Sequence, residues 1–344
     1  MTVTSKRVPV RYFALLRDAL QADGVDTAQL LRTAGIEAAR FEQREGTLLP
    51  SEVESFIATA KHLTGRSDLG FEMGRLIKMT SHDLLGLGML SCRNLDEVLR
   101  LVARHYHLMT EVFTFRYRRS PGFGETVYTP AMAMELETLR FWCEALAVAH
   151  HTQLQLMLGD RLGTYAIYLS IPEPPHLTRY GAMRPAIIHF DESALPGVRV
   201  VMSAEQLDVP LPLADPRGLQ QIDERCEALG QRSATRDGEW GSYVTMMLRE
   251  ARGELVTLED LARQINVSAR TVDRHLKKEH LQFRDLAQQV RFERACELLI
   301  APGATVAHVA LALGFSDAAN FRRAFRRVRG MSPSEYQQRA MPSD

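Results

Sequence analysis

The strongest constraint in this 344-residue sequence is that one pattern occurs twice near its C-terminus, 48 positions apart. At that offset Leu258 aligns with Val306, Leu261 with Val309, Ala262 with Ala310 and Ile265 with Leu313, so two segments share one apolar code at helical spacing. The alignment continues through Asn266 and Gly314, Val267 and Phe315, and Ser268 and Ser316. Asn and Gly tolerate the positive φ that ends a helix in a left-handed residue, and Ser is a favoured N-cap for the helix that starts next. An amphipathic helix, a short turn with a left-handed position, an apolar plug and a Ser-capped second helix make a helix-turn-helix, here twice.

The second helices are expected over Ala269 to Lys277 and Asp317 to Arg327, each anchored inward by two apolar residues four apart, Val272 with Leu276 and Phe321 with Phe325. Their complements face outward: Arg270, Asp273, Arg274 and Lys277 in the first copy, and Ala318, Ala319, Asn320, Arg322, Arg323, Arg326 and Arg327 in the second. Between the copies, Phe283 to Ile300 reads as a helix of 18 residues with Phe283, Leu286, Ala287, Val290, Leu298 and Leu299 as its apolar stripe. At about 1.5 Å per residue it spans roughly 27 Å. That length suits two helices set about 34 Å apart, one turn of B-DNA, and entering successive major grooves on one face. Charge points the same way. The totals balance at 42 Lys+Arg and 42 Asp+Glu, but residues 1–240 hold 26 against 30 and residues 241–344 hold 16 against 12. A polyanion partner therefore belongs to the C-terminal third.

The run Gly314-Phe315-Ser316-Asp317-Ala318-Ala319-Asn320-Phe321-Arg322-Arg323-Ala324-Phe325-Arg326-Arg327, followed by Gly330-Met331-Ser332-Pro333-Ser334-Glu335-Tyr336, resembles the C-terminal signature of AraC/XylS-type transcriptional regulators. Leu261-Ala262 and Ser268-Ala269-Arg270-Thr271-Val272-Asp273-Arg274-His275-Leu276 are similar to the same family's first helix-turn-helix, so the likeness covers about residues 240–340. The resemblance implies sequence-specific control of transcription, activation more than repression, with double-stranded promoter DNA and RNA polymerase as partners. It places base-facing positions at Arg270, Asp273 and Arg274 and at Ala319, Asn320, Arg322 and Arg323. Arg stands at 270 where relatives often carry a large or aromatic residue, and Ala318 and Ala319 lack the polar groups some relatives use. Arg274 and Arg323 suit guanine, Asn320 suits adenine, and Lys277, Arg326 and Arg327 suit phosphate. Asp273 suits cytosine N4 or an ion pair with Arg270 or Lys277.

The N-terminal part reads as α+β. Tyr12 to about Lys78 is a helical opening subdomain, and Asn94 caps a helix from Leu95 to about His107 with Glu97 in the capping-box position. Val112 to Arg119 and Glu125 to Thr129 flank turn residues and predict a hairpin, followed by a long helix from about Met132 to Leu158. Further strands are expected at Tyr165 to Ile171, Ala186 to Phe190 and Val198 to Val201, and a helix from about Arg217 to Leu229. The polar stretch from Gly230 to Gly238 reads as a linker. The chain thus divides into a regulatory domain at 1–229, a linker at 230–240 and an all-α domain at 241–344, in which a long helix joins the two helix-turn-helix motifs. The segment from Asp83 to Leu99, with His105-Tyr106-His107, resembles the arabinose-binding-type effector domain of a subset of the same family, not the small cupin barrel of other members, since some eighty helical residues precede the first strand. That resemblance implies an unknown small-molecule effector and does not imply arabinose.

Tyr106, Phe113, Phe115, Phe141 and Trp142 are the candidate lining of an effector pocket between the long helix and the hairpin, with plain core as the competing reading. His105, His107, His150 and His151 with Glu111 and Glu144 close no three-ligand set by local spacing, so neither metal nor cofactor is expected. Cys92, Cys143, Cys226 and Cys296 stand far apart and read as buried thiols. No signal-peptide run or span of about eighteen apolar residues occurs, which predicts a cytoplasmic protein away from membranes. Gly-rich phosphate loops, G-x-S-x-G and H-E-x-x-H are absent, so an enzyme is not expected. Two rivals stand beside the effector-responsive regulator: an enzymatic or ligand-modifying N-terminal domain fused to DNA-binding helices, and a constitutive DNA-binding homodimer.

Overall fold

The computed structural model describes residues 6–340 apart from 44–45, 193, 230–238, 252–255, 265–266, 302–303 and 316. The chain divides into two compact units, Met1–Thr235 and Arg236–Asp344. In the first unit, short elements come first: β1 (Val8–Pro9), α1 (Val10–Ala22), α2 (Thr27–Thr33), β2 (Thr47–Leu48), α3 (Pro50–Thr64), α4 (Leu69–Leu76), α5 (Asp83–Ser91) and α6 (Leu95–His105). The hairpin β3 (Phe113–Arg119) and β4 (Phe123–Pro130), the long α7 (Leu136–Leu158), then β5 (Tyr165–Leu169), β6 (Ala186–Phe190), β7 (Val198–Ser203), α8 (Ala204–Leu207) and α9 (Pro216–Leu229) complete it. The expected opening without strands is corrected by β1 and β2, which pair antiparallel through Val8 with Leu48. Two residues each are too few to show a period.

One five-stranded sheet carries the order β3-β4-β7-β5-β6, antiparallel except for the parallel β5–β6 pair. Alternation sets its buried face: Tyr165, Ile167 and Leu169 on β5 lie beside Val198, Val200 and Met202 on β7, all buried, with Ile167 opposite Val200 and Leu169 opposite Val198. α7 packs on these two strands and is buried on most of its circumference, from Thr138 through Leu158. Asn94 caps α6 as expected, its Oδ1 accepting from the Glu97 backbone N–H at 3.0 Å. Glu97 does not close the expected box. Its carboxylate accepts from the Arg93 backbone N–H at 2.6 Å instead, one residue earlier.

α4 crosses α7 at close range because Gly70 and Gly74 leave their Cβ positions to the other helix. A Cβ on Gly70 would lie 2.4 Å from the Phe141 carbonyl oxygen, and one on Gly74 would lie 2.6 Å from Val148 Cβ. The helix backbones touch where a side chain would hold them apart.

The second unit is all helical: α10 (Glu239–Glu250), α11 (Leu258–Gln264), α12 (Ala269–Lys278), α13 (Phe283–Leu299), α14 (Val306–Ala312), α15 (Ala318–Arg329) and α16 (Pro333–Ala340). α10 begins two residues inside the expected linker, whose residues 230–238 lie outside the described ones. Trp240 explains this: it is buried and stacks on His275 of α12 at 4.6 Å, and Glu279 accepts from the backbone N–H groups of Trp240 and Gly241 at 2.9 and 2.8 Å. α13 has 17 residues, with Ile300 as its C-cap. Its buried set is Leu286, Val290, Phe292, Ala295, Cys296 and Leu299, whereas Phe283, Ala287 and Leu298 of the expected stripe are half-buried. All four cysteines are buried and free. No helix among the described residues is long and apolar enough to cross a membrane.

Gly70→Ala is expected to cost about 1–3 kcal/mol, the range for overpacking a tight core, despite the better helix propensity of Ala. Urea unfolding of the full chain, followed by circular dichroism, measures it, and a gain in stability would contradict the close helix crossing.

Candidate functional site

The two helix-turn-helix copies share the Thr cap of their first helix and the bond across their turn at the same offset. Thr257 and Asp260 cap α11 reciprocally: the Asp260 N–H donates to Thr257 Oγ1, and the Thr257 N–H to Asp260 Oδ2, each at 3.1 Å. Thr305, 48 positions on, caps α14 by accepting from the His308 N–H at 3.2 Å. Across the turns, Val267 N donates to Ala262 O at 2.9 Å and Phe315 N to Ala310 O at 3.0 Å. Gly314 holds φ at 72°, the left-handed residue that the turn requires. Ile265, Asn266 and Ser316 lie outside the described residues.

Ser268 caps α12 as expected, accepting from the Thr271 N–H at 3.1 Å. In the second copy the cap is Asp317, whose Oδ1 accepts from the Asn320 N–H at 2.7 Å, so α15 begins at Ala318 and not at Asp317. A carboxylate at that position also favours the positive end of the helix dipole. α15 runs to Arg329 and stops at Gly330, with φ 72°.

The anchors fix which side chains face out. Val272, Leu276, Phe321 and Phe325 are fully buried. Arg270, Arg274 and Lys277 on α12, and Ala319, Arg322, Arg323, Arg326 and Arg327 on α15, are exposed, with Asp273 and Asn320 half-buried. Asp273 pairs with Lys277 at 2.7 Å, the second of its two expected cationic partners. Asn320 donates through Nδ2 to Asp317 Oδ2 at 2.7 Å and accepts from Arg323 Nη2 at 2.6 Å. The outcome is two amphipathic helices, each presenting a cationic outer face.

The N-terminal unit holds a cavity of about 70 Å³ bounded by α1, α6, the β3–β4 hairpin and α7. Of the five aromatic candidates, Tyr106, Phe115 and Trp142 line it. Phe113 and Phe141 do not. Phe113 packs in the core against Trp142 at 6.0 Å, and Phe141 lies on another face of α7, stacked on Phe13 at 6.1 Å. The cavity's polar groups come mostly from residues outside those five: Tyr12, His82, Tyr128 and Gln153, with His150, which the sequence offers only as a metal candidate. Tyr12 Oη meets His82 Nδ1 at 2.9 Å and Gln153 Nε2 meets His82 Nε2 at 2.8 Å, while Tyr128 Oη meets His150 Nδ1 at 2.8 Å. Burial, aided by Arg11, lowers the His82 pKa to about 3, and burial, aided by His151, lowers that of His150 to about 4. Both imidazoles are therefore neutral at physiological pH.

A second, polar pocket of about 370 Å³ lies on the Phe141 side of α7, with Lys61, Arg66, Arg140 and Glu144 in its walls. There Ser67 Oγ, His176 and buried Glu144 form a hydrogen-bonded row, 3.0 Å from Ser67 Oγ to Nδ1 and 2.7 Å from Nε2 to Oε1. Burial raises the Glu144 pKa despite His176. The remaining histidines considered for a metal are spread out: His105 meets Asp223 at 2.5 Å and His151 meets Tyr165 at 2.7 Å. Among the described residues no three potential ligands converge.

Comparison with known proteins decides the family. The model of the arabinose-binding domain of AraC transcription regulators matches residues 24–211, and a helix-turn-helix domain model matches residues 261–339. The chain belongs to the AraC family. This AraC-family chain is 27% identical over 340 residues to the ornithine utilization regulator of Pseudomonas aeruginosa, covering 98% of both. It is 26% identical over 341 residues to an uncharacterized HTH-type transcriptional regulator of Mycobacterium tuberculosis, covering 97% of both. The crystal structure of the P. aeruginosa transcriptional regulator CdpR aligns over 90% of this chain and 96% of that one, at 21% identity and a TM-score of 0.41. The AraC-family chain is accordingly a DNA-binding transcription regulator with a ligand-binding-type N-terminal domain.

Two outcomes follow from this geometry. Asp317→Ala is expected to cost about 1 kcal/mol by loss of the cap, read as a lowered urea midpoint of the C-terminal unit in the full chain. The neutral histidines make stability fall with acid. Below about pH 6.5 the unfolded chain takes up protons that the folded chain refuses, so stability is full above that pH and is lost as the pH drops toward 4. Each histidine contributes a slope of about 1.4 kcal/mol per pH unit across that window. His150→Gln should flatten the measured dependence of the unfolding free energy on pH.

Proposed function

We propose that this AraC-family regulator reads promoter DNA by placing α12 and α15 in successive major grooves of one duplex, and that an effector held in its N-terminal cavity biases this engagement toward activation with RNA polymerase. One observation carries the reading: on two capped helices of a tandem repeat, buried anchors four residues apart turn Arg270 and Arg274, and Arg322, Arg323, Arg326 and Arg327, outward. Arg274 and Arg323 take guanine, Asn320 takes adenine after exchanging its bonds to Asp317 and Arg323, and Lys277, Arg326 and Arg327 take phosphate. Asp273, paired with Lys277, tunes the first helix more than it reads a base.

The effector acts only through different affinity for DNA-competent and DNA-incompetent arrangements. The cavity in the N-terminal unit supports a bound small molecule because it combines apolar walls with convergent polar groups. We read the chain as a binder and not as an enzyme, because the two domains that match family models are a helix-turn-helix domain and an arabinose-binding-type domain of transcription regulators. Two reading heads in one chain let a monomer occupy a site that other regulators take as dimers, and a homodimer on paired sites remains compatible with this arrangement.

Sequencing of genomic fragments captured by the full chain at physiological salt tests the reading. The expected product is a motif of two patches about ten base pairs apart. Arg323→Ala should cost about 1–3 kcal/mol and relax one position, whereas Arg326→Ala should weaken all sequences evenly and lower the salt slope. Equal loss on every sequence for Arg323→Ala would remove it from base reading.

A further inference from the structure

The cavity of the N-terminal unit presents two unmet donors. Tyr106 Oη and His150 Nε2 are buried without a hydrogen-bond partner, and both residues line the cavity at 6% and 7% exposure. Native interiors seldom leave such atoms unpaired. On the other side Gln153 donates to His82 Nε2, which leaves the His82 proton on Nδ1 for Tyr12 Oη. His150 is the opposite case. Its Nδ1 lies 2.8 Å from the Tyr128 hydroxyl, and we assign the hydroxyl as the donor, because a bare imidazole nitrogen accepts a phenol proton. With the single imidazole proton then on Nε2, that nitrogen is a donor; the reverse tautomer would strand the Tyr128 proton as well.

The rest of the wall excludes charge. Leu95, Val98, Leu99 and Val102 of α6 face Trp142 and Leu154 of α7, and no Asp, Glu, Lys or Arg is among the lining residues. A carboxylate or ammonium there would lose its hydration without a counter-charge. Volume sets the scale: about 70 Å³ is roughly half of the ~150 Å³ that admits benzene. Met89, Met109 and Met157 in the wall are the side chains able to yield for something larger.

We infer that this cavity binds an uncharged, mainly apolar small molecule carrying one oxygen acceptor, a carbonyl or hydroxyl oxygen, hydrogen-bonded by Tyr106 Oη and His150 Nε2. The inference rests on the reading of the N-terminal unit as the effector domain and names the chemical class of its ligand. A charged amino acid does not fit it.

Titration of the full chain with cyclopentanone, methylenecyclopentane and cyclopentanecarboxylate, followed by saturation-transfer NMR at pH 7.5, tests it. The first two have the same shape and differ in the oxygen alone. Cyclopentanone is expected to bind saturably and at least fivefold tighter than the hydrocarbon, with the carboxylate weakest. Tyr106→Phe, which deletes only an unpaired oxygen, should erase most of the ketone's advantage and leave the hydrocarbon unchanged. Equal affinity of ketone and hydrocarbon, tighter binding of the carboxylate, or no saturable binding of any of the three would overturn the ligand class. DNA capture with and without cyclopentanone is read separately: binding that leaves DNA affinity unchanged keeps the ligand class and overturns the effector role.

Discussion

Helix α7 is buried on nearly every side, and the N-terminal unit is organised around that fact. A helix with so little wet face cannot choose its rotation by amphipathicity, so neighbours on several sides must fix it. Gly70 and Gly74 bring α4 against its backbone, while β5 and β7 supply a flat apolar surface. Once fixed, α7 distributes its side chains to two compartments. Trp142, His150 and Gln153 face the apolar cavity, whereas Glu137, Arg140, Phe141 and Glu144 face the polar pocket. Adjacent positions on a helix point about 100° apart. This is why Phe141 and Trp142, neighbours in the chain, belong to separate chemical environments.

The legibility of the sequence follows the range over which each feature is specified. The C-terminal unit was readable almost to the residue because a repeat makes each copy a control for the other, and its anchors, turns and caps lie within about twenty positions. The Asp317 cap was missed since Ser316 and Asp317 are both good caps and the repeat favoured the first. α10 was missed because nothing near Trp240 announces that its partners are His275 and Glu279, some 35 residues on. In the N-terminal unit the strands and the long helix were visible as local periodicity. The cavity was half visible. Tyr106, Phe115 and Trp142 stood out as aromatics near the hairpin, but Tyr12, His82 and His150 come together only when elements about seventy residues apart or more have packed.

The two copies of the C-terminal repeat share a scaffold and differ in their outer faces. α12 neutralises part of its charge internally through Lys277 and Asp273, while α15 carries five arginines on twelve residues. Both faces are fixed by residues that never leave the core. If these outward side chains do the reading, as proposed, their exchange alters what is recognised without altering the fold, which separates the evolution of target choice from that of stability.

The row Asp317, Asn320 and Arg323 has one more consequence. Because Asn320 is already held on both sides, its rotamer and that of Arg323 are restricted before any encounter. In the proposed reading, contact with a base is an exchange of one set of bonds for another, with less side-chain freedom left to lose. At such a position every base, right or wrong, competes against an intact internal network and not against water alone. The network thereby sets how readily the helix engages at all, and the choice between bases is left to the bonds that each base itself supplies.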